Sequence, residues 1–212
     1  MNAPPIDPER LDALAATWTV LSRLLLSPPD EDTLTRFRDP EMLASWPFAG
    51  HDEDTDAGLA LIAGSGEDAE AIRADHAALF TGPDTLRAPP YESVHRSRDH
   101  LLFEEETIQV RQWYARHHLA APRLGREPDD HIGLELDFLA TLVLRALQAL
   151  DAGHADDARR LLADHDEFVT THLLEWAPGL MDLVRARAGT DFYRGVGALG
   201  SGVLRAPQAL LS

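Results

Sequence analysis

The chain has 212 residues, 44% of them hydrophobic and 26% charged, with a formal net charge of −17, a balance that suits a folded globular protein and excludes a disordered one. It holds no cysteine, and all 19 of its basic residues are arginine, which excludes disulfides, thiol catalysis, thiolate metal sites, a lysine Schiff base and the usual lysine-containing phosphate loop. The acidity argues against nucleic acid, whose phosphates it repels, and favours either a cationic partner or plain solubility.

A chain of this size suits one all-helical domain, with room for a smaller N-terminal part (1–82) and a larger C-terminal part (99–212) joined by a proline-rich segment (83–98). The opening MNAPPIDPERLDALAATWTV lacks a basic stretch followed by an apolar run, so no secretory signal is read there. The longest apolar runs, such as Leu139 to Leu144, fall well short of the ~20 residues of a membrane helix. The expectation is a cytoplasmic protein with no membrane insertion.

The apolar period is that of a helix, with no convincing alternation. Asp7 and Pro8 open the first helix, which carries the stripe Leu11, Leu14, Trp18, Leu21 and Leu25 and stops at Pro28-Pro29. Asp30 caps a second, carrying Leu34 and Phe37 and ending near Trp46-Pro47. A short helix through Leu59 to Ile62 is broken by Gly64-Ser65-Gly66, and another spans Glu67 to Phe80. From Thr81 to Arg98 the prolines at 83, 89 and 90 forbid a continuous helix, and the mix of polar and aromatic residues is odd for a mere connector. Helix resumes from Glu104 to His118. A loop from Ala120 to Pro128, long enough to make domain swapping conceivable, precedes the strongest helix, Asp129 to Leu150, apolar round most of its circumference and so central. Helices at Ala155 to Glu175, from Pro178 through Val184, and from Asp191 to Leu204 complete the chain.

Candidate chemistry is sparse. Gly195 to Gly200 spells GxGxxG, but after a helical pattern rather than a strand, so close helix packing explains it better than a dinucleotide. Glu92 and His95 form the one Glu-x-x-His pair, short of the two that a di-iron bundle needs, and His131 with Glu135 is half a site. No nucleophile elbow is present. Neither a cofactor nor a metal is expected, and no motif supports an enzyme.

Two segments remain: Leu79-Phe80-x-Gly82-Pro83 leading into Pro89-Pro90-Tyr91-Glu92-Ser93-Val94-His95, and Glu127-Pro128-Asp129-Asp130-His131-Ile132-Gly133-x-Glu135-Leu136-x-Phe138-Leu139. The second has the composition of any good helix start, although capping needs only one of its two adjacent acids. Gly133 is unhelpful there by roughly 1 kcal/mol relative to Ala and marks a close approach of backbone or ligand.

Together these segments resemble the TorD/DmsD/NarJ family of redox-enzyme maturation chaperones, most densely from Leu79 to Leu144. The resemblance implies an all-helical, non-enzymatic cytoplasmic chaperone whose partners are the twin-arginine signal peptide and the apo form of a molybdenum-containing oxidoreductase subunit, with help in cofactor insertion and control of export. It also implies a peptide site holding Asp130 and His131, with Tyr91, Ser93, His95 and the Leu79-Phe80 region beside it. Trp113, Glu135 and Asp137 are added from residue chemistry. Such a site should set carboxylates (Asp130, Glu135, the Glu104-Glu105-Glu106 run) beside an apolar wall of Phe80, Tyr91, Trp113 and Phe138, since guanidinium pairs bidentately with carboxylate. The alternatives are a small helical metal- or ligand-binding enzyme using Glu92, His95, His131 and Glu135, or a plain helical interaction domain.

Overall fold

The computed structural model describes residues 6–98, 101–122 and 128–210, and these form α-helices and short π turns with one isolated β-type contact. Much of the loop read at Ala120 to Pro128, with Glu127 of the second motif, lies outside the described residues.

Helix α1 (Pro8–Leu26) starts where the Asp7 carboxylate accepts the Glu9 N–H at 3.1 Å and stops before the paired prolines. Helix α2 (Glu31–Phe37) is capped by Asp30, which accepts from the Thr33 N–H. The single helix expected to reach Trp46 is divided, because Asp39 and Pro40 open a separate α3 (Pro40–Ala44), and proline at a helix start has no N–H with which to continue the previous spiral. Helix α4 (Glu53–Gly64) begins earlier than its apolar stripe, at Asp52, whose carboxylate accepts from Asp54 and Thr55. Helix α5 (Ala69–His76) runs into a π turn (Ala77–Thr81). Inside the proline-broken segment lies one short helix, α6 (Glu92–Arg96).

The remaining helices are α7 (Glu105–Arg116), α8 (Ile132–Asp151), α9 (Ala155–Phe168), α10 (Leu174–Arg187) and α11 (Asp191–Leu210). A π turn (Val169–Leu173) carries α9 directly into α10, and Pro178, expected to open a helix, sits inside α10 close behind that turn.

Helix α8 is the axis of the fold. It buries Ile132, Leu136, Leu139 and Val143 along one stripe and Phe138 and Leu142 beside it, so α1 can pack on one side and α9 on another. Each such side chain fully removed from water contributes roughly 1.5–3 kcal/mol. Helix α11 packs on α4 and α10. The packing of α1 on α8 and of α4 on α11 crosses the segment 83–98 at which a division was read. A Cβ on Gly58 would stand 2.7 Å from the Gly195 carbonyl oxygen, and one on Gly195 2.8 Å from that of Gly58. The GxGxxG pattern therefore lies within α11, with Gly195 at the place where two helix backbones touch.

Candidate peptide-binding site

Two segments far apart in sequence meet at Tyr91 and His131. The Glu92 N–H donates to the Asp130 carbonyl at 3.0 Å and the Ile132 N–H donates to the Pro90 carbonyl at 2.8 Å, which makes an antiparallel bridge of the two residues. Their rings stand edge to face, 5.3 Å between centroids at 84°, an arrangement favoured by the ring quadrupole. Tyr91 and His131 each stand at the N-cap of a helix, α6 and α8, where extended backbone is the ordinary conformation.

Both side chains line a hollow of about 410 Å³, together with Leu26, Thr81, Pro122, Pro128 and Leu134. Leu26 reaches it because Gly133 lacks a side chain: a Cβ there would collide with Leu26 and lie 3.1 Å from the Ser22 carbonyl oxygen. The Ser22 hydroxyl donates to the Gly133 carbonyl at 2.7 Å, locking the end of α1 onto the start of α8. The close approach read at Gly133 is thus made by α1. Leu26 and Ser27 also border a larger hollow, about 600 Å³, walled by Val20, Leu24, Phe37, Met42 and Trp46.

Beneath the bridge sit carboxylates sealed from solvent. Asp129 accepts from the Arg111 guanidinium at 3.0 and 2.5 Å. Asp130 accepts the Ser93 N–H at 2.7 Å and the Thr107 hydroxyl at 2.8 Å, both neutral donors. Glu92 pairs with Arg96 and with His172 Nδ1 at 3.0 Å. Glu135 accepts from the Trp176 indole at 3.3 Å, and its other oxygen has no partner among the described residues. Burial first, then the charges of Glu92 and Asp130, push the Glu135 carboxyl well above the usual carboxylate range. An uncharged Glu135 therefore stands among charged neighbours.

Of the residues read from sequence, Tyr91 and His131 face the hollow, and the others serve the frame around it. Leu79 and Phe80 are core, Phe80 edge-on to Tyr193 at 5.8 Å. Ser93 is buried and gives its N–H to Asp130. His95 bonds the Pro89 carbonyl at 2.7 Å through Nε2 and lies against Trp176. Trp113 packs into the core on Phe168, with the Arg116 guanidinium 4.0 Å above its ring. Phe138 is also buried, against Tyr114, whereas Asp137 is exposed on α8. Asp130 and Glu135, read as carboxylates for an incoming guanidinium, do not reach the surface, and the Asp130 oxygens hold internal donors. Leu26, Thr81, Pro122 and Leu134 were not read as site residues. The run Leu24-Leu25-Leu26 carried a signal, since three consecutive leucines on a helix cannot all face one core.

Among the described residues no three His, Asp or Glu side chains converge to hold a metal ion. His131 Nδ1, the nitrogen nearest the chain, accepts the Gly133 N–H at 3.0 Å, and Glu92 and His95 have the partners given above. Among the described residues, no helix is long and apolar enough to cross a membrane.

A family model described as "Nitrate reductase delta subunit" matches residues 51–182, which include the segments from both motifs. The Tat proofreading chaperone DmsD of Salmonella typhi is 32% identical over 133 residues, 63% of this chain and 58% of that protein. The protein of the same name from Salmonella paratyphi A is 28% identical over 204 residues, 94% of this chain and 91% of that one. Chaperone protein TorD of Aliivibrio fischeri is 30% identical over 134 residues, 63% of this chain and 61% of that protein. The match thus spans less than two thirds of the Salmonella typhi and Aliivibrio proteins. A crystal structure of a candidate redox enzyme maturation protein from Archaeoglobus fulgidus aligns over 99% of this chain and 98% of its own, at 19% identity and a TM-score of 0.47.

Proposed function

Because the chain belongs to the nitrate reductase delta subunit family, we propose that it is a cytoplasmic chaperone that holds the twin-arginine signal peptide and the apo form of a molybdenum-containing oxidoreductase subunit, assists cofactor insertion and holds back export. The names of its relatives, Tat proofreading chaperones among them, support this reading. So does the chemistry of a signal that presents two guanidinium groups followed by an apolar stretch.

The observation that carries the proposal is the hollow beside the Tyr91–His131 bridge, a recess of mixed apolar and polar lining large enough for a few side chains. Its affinity for a cationic segment comes from field rather than contact. Asp130, next to His131 at the bridge, is buried, accepts only from neutral groups and has no cation paired with it among the described residues, so no partner compensates its charge beside the hollow. The chain's net charge of −17 adds a long-range attraction that speeds encounter more than it tightens the complex.

Calorimetric titration with a synthetic twin-arginine signal peptide tests the proposal. Saturable binding that weakens as salt rises is the expected result. Heats no larger than dilution would remove signal-peptide recognition and leave a helical interaction domain of another kind.

A further inference from the structure

The hydrogen-bonding state of His131 says which part of a client this hollow reads. The residue is only 9% exposed, yet it forms part of the hollow's wall. Its Nδ1 accepts the Gly133 N–H at 3.0 Å as the cap of α8. A ring nitrogen that accepts carries no proton, so in the neutral imidazole the proton sits on Nε2, which is then a donor. Burial pushes the ring's pKa down to about 4, with the nearby His76 adding to the effect, so the neutral form holds at physiological pH. Nε2 has no hydrogen-bond partner among the described residues.

A guanidinium is donor-only and cannot satisfy this N–H. An anion would suit it in hydrogen-bonding terms but would lie near Asp130, whose buried carboxylate has no cation paired with it among the described residues. A neutral acceptor meets neither objection. Resting on the signal-peptide reading above, we propose that His131 Nε2 donates to a main-chain carbonyl of the bound peptide, so that the hollow seats the peptide's backbone and apolar side chains while the arginine guanidiniums lie outside it. His131 is then a register-setting residue and takes no part in reading the arginines.

Substitution of His131 by Asn and by Asp separates the possibilities, since each can accept the Gly133 N–H and keep the helix cap, while neither supplies a donor at the Nε2 position. The same twin-arginine peptide is titrated into wild type, His131→Asn and His131→Asp, with thermal melts to verify folding. The expectation is roughly tenfold weaker binding by His131→Asn, the effect of one lost hydrogen bond. His131→Asp should be weaker by at least as much, because its carboxylate would face the carbonyl oxygen. Tighter binding by His131→Asp would show that the hollow takes a guanidinium and would overturn the proposal. So would unchanged binding by a folded His131→Asn. Nuclear magnetic resonance of isotope-labelled histidine in the wild-type protein is independent of either variant folding: an Nε2–H tautomer whose signal moves on peptide addition is expected, and an Nδ1–H tautomer overturns the assignment. A wild-type protein that binds no peptide overturns the broader reading as well, whereas binding with an indifferent His131 overturns this inference alone.

Discussion

Asp129 and Asp130 are adjacent in sequence and both are fully buried, yet they turn to opposite kinds of partner: Asp129 to the Arg111 guanidinium, Asp130 to the Ser93 N–H and the Thr107 hydroxyl. One charge is neutralised where it lies and the other is not.

Replacing each tests that division. Asp130→Asn should fold, since an amide can still accept the Ser93 N–H and donate to the Thr107 oxygen, at a stability loss of about 1–2 kcal/mol in denaturant titration. Its signal-peptide association rate should fall severalfold at low salt, and the dissociation rate should change less. Arg111→Met should act the other way, leaving Asp129 buried without its cation, with a loss of about 2–4 kcal/mol and little change in peptide kinetics. Stopped-flow binding at two salt concentrations, beside urea unfolding, reads both.

Glu135 makes a prediction about pH. Its folded-state pKa lies above the ordinary value of 4.5 because it is buried among Glu92 and Asp130. The native state therefore holds a proton that the unfolded chain releases. The resulting stability is fully present below pH 4.5 and is lost as pH rises toward the folded value. Glu135→Gln keeps the shape and cannot ionise. Its melting temperature relative to wild type should rise as pH is raised above 4.5, as read by thermal scans. A constant difference would mean that Glu135 is not held neutral.

Gly133→Ala sets helix propensity against packing. Alanine favours the helix by about 1 kcal/mol, but its methyl group would collide with Leu26 and crowd the Ser22 carbonyl, and overpacking of that kind costs about 1–3 kcal/mol. The net expectation is a destabilised protein. Leu26→Ala should relieve part of the damage, so the double variant should be more stable than the two single effects predict. Thermal or urea unfolding of the four proteins closes the cycle.

Much of the fold was legible because caps and stripes are local. Asp7, Asp30 and the apolar faces of α1 and α8 specify their helices without help from elsewhere. The continuity of α9 into α10 was not legible, since a π turn has no residue signature and Pro178 reads as a boundary. At the site, the pairing of Tyr91 with His131 followed from two motifs taken together. The role of Asp130 did not, because sequence gives the presence of a charge but not the side from which it is solvated. Arg96 lies one turn along α6 from Glu92, a spacing that sequence can show, whereas His172 reaches Glu92 from the π turn 80 residues on, and no pattern joins those two.

The walls of the hollow include Leu26, from the end of the first helix, and Leu134, from the start of the eighth. More than half of the polypeptide must leave the ribosome before both exist, and neither segment forms a recess by itself. On the function proposed above, a product truncated before that point would offer a signal peptide nowhere to settle.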